Sequence, residues 1–349
     1  MEKIRSLFVI GLAALLLSAC ATVNYVDIET FNPAEVTFPE HVSKVLVVNN
    51  AVAQPADKGY TYTLYGSKQD SCRAQADSAL YEACHSLGEA MLEGSYFNDV
   101  LLYNQPLRTD QSYLSDPKLT PAQVLALCEA NGADAIISWD RLLFEMDKKI
   151  GRLAEGLLVG SINVRMGGVL RTYLPGKEGP LATVIVADSI AWMESAIEQF
   201  TLEELLPTAD EALCMAGQYI GVKATPNFVP HWMNETRWYF SGMGSKWKEA
   251  AAYAASDKWD QAAGRWKQLY DGSKGKNKAR AASNLALCEE MKGHFDKARE
   301  WAQRSYELFK QHAGEKDGHT QLLKLYEEAL SERIQNDLKL NVQFGEESH

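Results

Sequence analysis

The segment Asp257-Lys258-Trp259-Asp260-Gln261-Ala262 recurs 36 residues later as Gly293-His294-Phe295-Asp296-Lys297-Ala298, and Tyr270 recurs as Tyr306. A period of that length marks a helix pair that buries its apolar face by stacking on copies of itself. Phe295, Ala298 and Ala302 stand at i, i+3 and i+7, and in the preceding unit Trp259, Ala262 and Trp266 occupy the same stripe. Alanine at the crossing lets two antiparallel helices approach to about 8–10 Å, and the aromatic fills the space beside it.

Composition changes where this region begins. Six of the eight tryptophans lie beyond residue 230 and no proline does, so Thr225-Pro226 and Val229-Pro230 mark a boundary and residues 231–345 are expected to be all helix. An amphipathic segment from about Thr320 to Leu338 closes one end of the stack. The other end carries Trp232, Trp238 and Trp247, an apolar patch that needs cover. Charge divides at the same place: 19 Lys+Arg against 18 Asp+Glu after residue 230, but 16 against 28 before it, so the net −11 belongs to the first part. That acidic part repels phosphate backbones, and no nucleic-acid partner is expected. It is the expected docking surface for the tryptophan-rich segment.

Residues 42–230 read as an α/β domain with a mixed sheet and flanking helices. Lys44 to Val52 is a β-branched run of the kind covered on both faces. A Gly/Tyr-rich loop leads to a helix whose stripe is Ala76, Leu80, Ala83, Cys84, Leu87 and Met91. A strand at 97–103, a helix opened by the capping box Thr120 to Gln123 and stopped at Asn131-Gly132, and a strand at 133–144 follow. Two long segments, 162–174 and 181–193, then form a hairpin across Pro175 to Pro180. Thr201 to Glu204 reads as another capping box, and a last helix runs from Thr208 to about Ile220.

The N-terminus carries an address. Lys3 and Arg5 precede an apolar run from Leu7 to Leu17, too short to span a bilayer but suited to a signal-peptide core over residues 1–19. Its ending, Leu17-Ser18-Ala19-Cys20, resembles the bacterial lipobox, which implies a mature chain that begins at lipidated Cys20 and is anchored through it. Ala21-Thr22 lack the aspartate that marks inner-membrane retention, so the expected site is the outer membrane, facing the periplasm. Residues 20–41, broken by Pro33 and Pro39, read as a tether.

Ala279 to Lys310 resembles a tetratricopeptide repeat, with Leu285 and Ala286 in the first helix, Gly293 at the turn, and Phe295, Ala298 and Ala302 in the second. Asn131 to Ile137 weakly resembles an element of periplasmic α/β domains such as those of curli-secretion lipoproteins. From Leu-Ser-Ala-Cys to Asp257–Ala262, the whole chain is similar to an uncharacterised family of Gram-negative envelope lipoproteins that pairs an α/β domain with a tetratricopeptide-like tail. That resemblance implies an architecture and no activity.

Chemistry-bearing patterns are sparse. The seven histidines show neither HxH nor HExxH, no CxxC occurs, and no G-x-S-x-G elbow is present, so no metal, cofactor or catalytic residue is assigned. Lys274, Lys276, Lys278 and Arg280 form the one basic cluster, suited to a solvated loop or to an acidic partner. The expectation is a non-catalytic, membrane-anchored protein that holds a protein or peptide partner on the concave face of its repeats or through its α/β domain. The alternative is a carbohydrate or small ligand held by the aromatics Trp232, Trp238, Tyr239 and Trp247.

Overall fold

The computed structural model describes residues 23–69, 73–153 and 156–345; the segment read as a leader, Cys20 and Cys72 lie outside them. The chain forms two compact units, Pro33–His231 with Gln343–Gly345, and Trp232–Val342 with the N-terminal strand β1 (Val23–Asn32).

The first unit is built on a seven-stranded sheet of β2 (Lys44–Asn49), β3 (Tyr60–Leu64), β4 (Ser67–Gln69), β5 (Asp99–Leu102), β6 (Ala135–Arg152), β7 (Leu158–Tyr173) and β8 (Ala182–Ala196). β2 lies between β5 and β6 and parallel to both. Parallel neighbours need crossovers, and here each carries a helix: α1 (Asp77–Glu93) precedes β5 and α2 (Pro121–Asn131) precedes β6. Alternate residues of β2 enter different cores. Val45 and Val47 join Leu80, Ala83 and Leu87 of α1, whereas Leu46 and Val48 join Val124 and Cys128 of α2. The two-sided burial expected of this strand follows from that placement.

α2 has the expected capping box, with Thr120 Oγ1 accepting from Gln123 N–H, and stops at Gly132 in the left-handed conformation. β7 and β8 form the expected hairpin. β6 runs well past residue 144 because its second half gains two partners, β3 alongside 146–150 and β7 along its whole length, with a bulge at Asp140. The Gly/Tyr-rich loop contains the β3–β4 hairpin, turned at Tyr65-Gly66, both with positive φ (49° and 83°) as a primed two-residue turn requires.

The expected capping box at Thr201 is not formed. α3 (Gln199–Leu205) starts earlier, Glu198 makes no side-chain cap, and Thr201 lies inside the first turn. The working box is Thr208/Glu211, which opens α4 (Ala209–Ala224). α4 packs on α1 backbone to backbone: a methyl on Gly217 would strike the Ala79 carbonyl, and one on Gly221 the Ala83 carbonyl.

In the second unit β1 pairs with β9 (His231–Phe240). Contacts Phe31–Trp232, Thr30–Met233 and Asp27–Thr236 run in opposite senses along the two strands, which makes the pair antiparallel. Two expectations are corrected here. Within the segment 20–41 expected to be a tether, Val23–Asn32 is a strand, because Ile28, Thr30 and Asn32 alternate inward and hold β1 in place. Residues 231–345 are not all helix, because the tryptophan-rich segment is extended.

Five helices follow: α5 (Ser245–Ala254), α6 (Trp259–Gly272), α7 (Gly275–Met291), α8 (Phe295–Ala313) and α9 (Gly318–Gln343), each packed on the next through α8. The 36-residue repeat is structural. Lys258 and His294 precede α6 and α8 with nearly the same backbone, φ −90°, ψ 62° and φ −89°, ψ 64°. Before them Asp257 takes the left-handed conformation (φ 55°) that Gly293 takes freely (φ 76°). Ala262 and Ala298 are both fully buried at the helix crossings, as are Trp266 and Ala302 one turn on.

Candidate functional site

α7 is the centre of the helical unit. Residues 281–288 are buried on every side, among them Leu285 and Ala286 of the repeat pattern. An amphipathic surface helix leaves one face to water; here β9 covers it. Asn284 holds the end of that strand by its backbone, accepting from Phe240 N–H at 2.7 Å and donating to Phe240 O at 2.7 Å. Arg237 Nε lies 3.0 Å from Glu290 Oε1 of α7, and Tyr326 of α9 donates to Glu290 Oε2 at 2.6 Å. Burial opposes the Arg237 charge, but the hydrogen bonds and charge of Glu290, with Glu235, outweigh it and raise the guanidinium pKa. Burial and then Glu290 push the Tyr326 phenol well above its usual range.

β9 therefore covers one face of the helical unit, and of the aromatics proposed as a ligand platform Trp238 and Tyr239 pack inward with it. Tyr239 packs on Trp266 with centroids 5.7 Å apart, and Trp238 on Tyr326 at 5.3 Å. Trp247 is half-buried between the two cores of this unit. Trp232 alone among the four is widely exposed, at 67%, and its ring rests on Phe31. The cover expected from the acidic domain is supplied to Tyr239, Trp238 and Trp247 within their own unit, because a strand from the N-terminus completes it.

The basic cluster does not act as one patch. Lys274 and Lys276 are exposed at the start of α7, Lys278 lies over the Tyr270 ring at 4.6 Å, and Arg280 turns toward Phe240. Burial lowers the Arg280 pKa. Lys278 alone of the four reaches an open groove of about 620 Å³ across α6, α7 and α8, shared with Tyr270, Glu300, Gln303, Arg304, Glu307 and Leu308. Its floor is ordered by Tyr270 set edge-on to Trp301 at 5.0 Å, with the Arg304 guanidinium 4.9 Å from the Trp301 ring.

The α/β unit holds a feature that sequence reasoning missed. Asp140, fully buried at the β6 bulge, accepts four hydrogen bonds: Ser138 Oγ at 2.6 Å and Asn50 Nδ2 at 3.0 Å on Oδ1, and Arg171 Nη1 at 2.6 Å and Tyr173 OH at 3.0 Å on Oδ2. Arg171 continues to Asp116, Asn50 to the Pro117 carbonyl, and Leu119 N–H donates to Tyr173 OH, so the network pins the loop after β5 across the end of the sheet. Burial opposes the Arg171 charge, but bonds from Asp140 and Asp116 outweigh it and raise its pKa; burial and the Asp140 charge raise that of Tyr173. The sequence signal was Asp140, a carboxylate in the middle of the largely apolar run Ala135 to Phe144.

The same loop walls a cleft of about 440 Å³ at the carboxyl ends of β2 and β5, lined by Asn49, Asp77, Tyr81, Cys84, Tyr103 and Arg108 among others. Arg108 is committed to the loop itself, bonding Asp110 through Nε and Nη2 at 2.8 Å and Ser115 O at 3.2 Å. Those bonds, with the Ser112 N–H, lower the Asp110 pKa to about 2. Burial pushes the Cys84 thiol up to about 12, which removes it as a nucleophile near neutral pH. Cys128 and Cys288 are likewise free and buried, and Cys214 is free and half-buried. His85 and Glu89 form an exposed pair at 3.4 Å, and among the described residues no three His, Cys, Asp or Glu side chains converge on a metal position.

An α/β unit with a mixed sheet, joined to a unit of helical hairpins closed by a strand pair, defines the class of protein. Residues 42–240, more than half of the chain, match the family described as Domain of unknown function (DUF8603), and the chain belongs to that family. Residues 248–332 match a second, Domain of unknown function (DUF6340). No curated protein matches the chain. Among solved structures it is similar to a DUF330 protein from Xanthomonas campestris at 9% identity, over 56% of this chain and 94% of that one, with a TM-score of 0.22, too low to equate the folds.

Proposed function

We propose that the protein is a lipid-anchored, non-catalytic interaction module of the Gram-negative envelope, with a tetratricopeptide-like helical unit held at the outer membrane on its periplasmic side. The observation that carries this reading is the position of β1. It starts at Val23, so acylated Cys20 would leave only about 10 Å of chain between the lipid and the helical unit. The tether is replaced by a short leash, and the unit is a fixture of the bilayer surface.

With one face of its helices covered by β9, the unit offers the groove of Tyr270, Lys278, Arg304 and Glu307 to a protein or peptide partner. Cations and carboxylates alternate there, which favours a polar, extended segment over an apolar helix. Among the described residues no helix is long and apolar enough to cross a membrane, and the anchor in this reading is the lipid alone.

Two measurements test the reading. Radiolabelled palmitate is expected to enter the parent chain and not Cys20→Ala, which should leave the membrane fraction; equal labelling of the two would refute the anchor. Crosslinking in the native envelope should yield a partner that is lost in Arg304→Glu/Glu307→Lys. An unchanged partner set in that folded variant would refute the groove.

A further inference from the structure

One edge of the sheet in the α/β unit is β8, which pairs with β7 and, among the described residues, with no other strand. Sheet proteins commonly blunt such an edge with lysine, proline, a bulge or short length. β8 runs for 15 residues without Lys, Arg or Pro. Its two charges are Asp188 and Glu194, and Asp188 is matched by Lys223 at 3.2 Å. One face is covered, with Val184 and Val186 buried. The other is bare: Ile185 is 79% and Met193 73% exposed, with Ala187, Ser189 and Ala191 exposed between them.

Read from its two ends, this strand is nearly the same. About Ser189 as midpoint, Ala187 answers Ala191, Ile185 answers Met193, Val186 answers Trp192, Thr183 answers Ser195 and Ala182 answers Ala196. We propose that β8 is a self-association edge, pairing antiparallel with β8 of a second copy about a two-fold axis through Ser189.

In that register all 15 residues are paired, large side chains meet large, and alanines meet alanines. Asp188 faces Ile190 of the second copy and Glu194 faces Val184, so no like charges are opposed. Centring the pair on Asp188 would set two carboxylates face to face, and centring it on Ala191 would set Asp188 against Glu194. In the single chain the Ser189 N–H at the midpoint is held by Asp188 Oδ1 at 2.8 Å. Pairing exchanges that one local bond for a ladder along the strand. The interface is isologous and closes at two copies, leaving no strand edge on this side of the sheet.

The test uses the whole mature chain with Cys20→Ser, so that it is studied free of lipid. Sedimentation at micromolar concentration should give a dimer for this parent and a monomer for Ala187→Lys/Ala191→Lys, which sets lysines against lysines across the axis. Both positions are exposed, so the melting of the isolated chain should hold. Independently, Ser189→Cys should form an intermolecular disulfide under mild oxidation, because directly opposed residues bring their Cβ atoms to about 4.5–5.5 Å. Ala187→Cys alone, opposed by Ala191, should stay at background. A monomeric parent, a dimer that survives the double lysine substitution, or equal crosslinking of the two cysteine variants would overturn the proposal.

Discussion

Replacing Asp140 by alanine should unfold the α/β unit under conditions where the parent chain is stable. The substitution removes the acceptor of four hydrogen bonds and leaves Arg171, itself 8% exposed, without its closest counter-charge. Breaking a buried ion pair from one side costs about 3–5 kcal/mol, a large fraction of the about 5–15 kcal/mol that holds a domain folded. The loss should concentrate where the network does, at the loop carrying Asp116, Pro117 and Leu119 and at the neighbouring Trp139, which is 1% exposed. Urea unfolding followed by tryptophan fluorescence checks it. Asp140→Asn, which keeps the shape and part of the bonding, should fall between the two. A midpoint for Asp140→Ala equal to that of the parent would show that Asp116 alone satisfies Arg171.

The second large effect is expected in the helical unit. Glu290 is 4% exposed and joins three elements, bonding Arg237 of β9 and Tyr326 of α9 from its seat on α7. Glu290→Ala leaves a buried guanidinium with Glu235 as its remaining carboxylate and removes the acceptor of a buried phenol. The expected cost is again about 3–5 kcal/mol, with β9 released from α7 before the helices themselves melt. Circular dichroism at 222 nm with near-ultraviolet bands of Trp238 and Tyr326 separates the two events. Lys276→Ala, on the exposed start of the same helix, should change stability by no more than about 0.5 kcal/mol.

Local patterns in this chain were legible where neighbours in sequence are neighbours in space. The 36-residue repeat, the capping box at Thr120 and the hairpin across Pro175 all depend on contacts within a few tens of residues, and they stand in the structure close to where the pattern puts them; the β2 run was legible from its unbroken apolar character, although its partners β5 and β6 lie far along the chain. The Tyr60 to Gly66 turn was equally local, and its Tyr-Thr alternation before a glycine was the available signal. Thr201 misled because a capping box is only four residues long, and the apolar anchor Leu202 decides where the helix sits.

What sequence could not supply were pairings across great separations. β1 and β9 lie about 200 residues apart, and each is a weak strand alone: Ile28, Thr30 and Asn32 alternate with Asp27 and Glu29, but two of those three inward residues are polar. Their hydrogen bonds to Glu235 and within the strand make that polarity acceptable inside. The tryptophans of β9 fit helix spacing as well as strand spacing, and only a partner decides between them. The same holds for Asp140, whose meaning depends on Arg171 and Tyr173 in a strand that passes beside it.

The central claim is that β1 is a strand of the helical unit, pairing with β9, which covers one face of its helices. Hydrogen–deuterium exchange of the protein tests it most directly. Amides within 24–31 are predicted to be protected, and to open together with those of 234–240. Exchange of 24–31 at the rate of free chain, with 234–240 still protected, would contradict it.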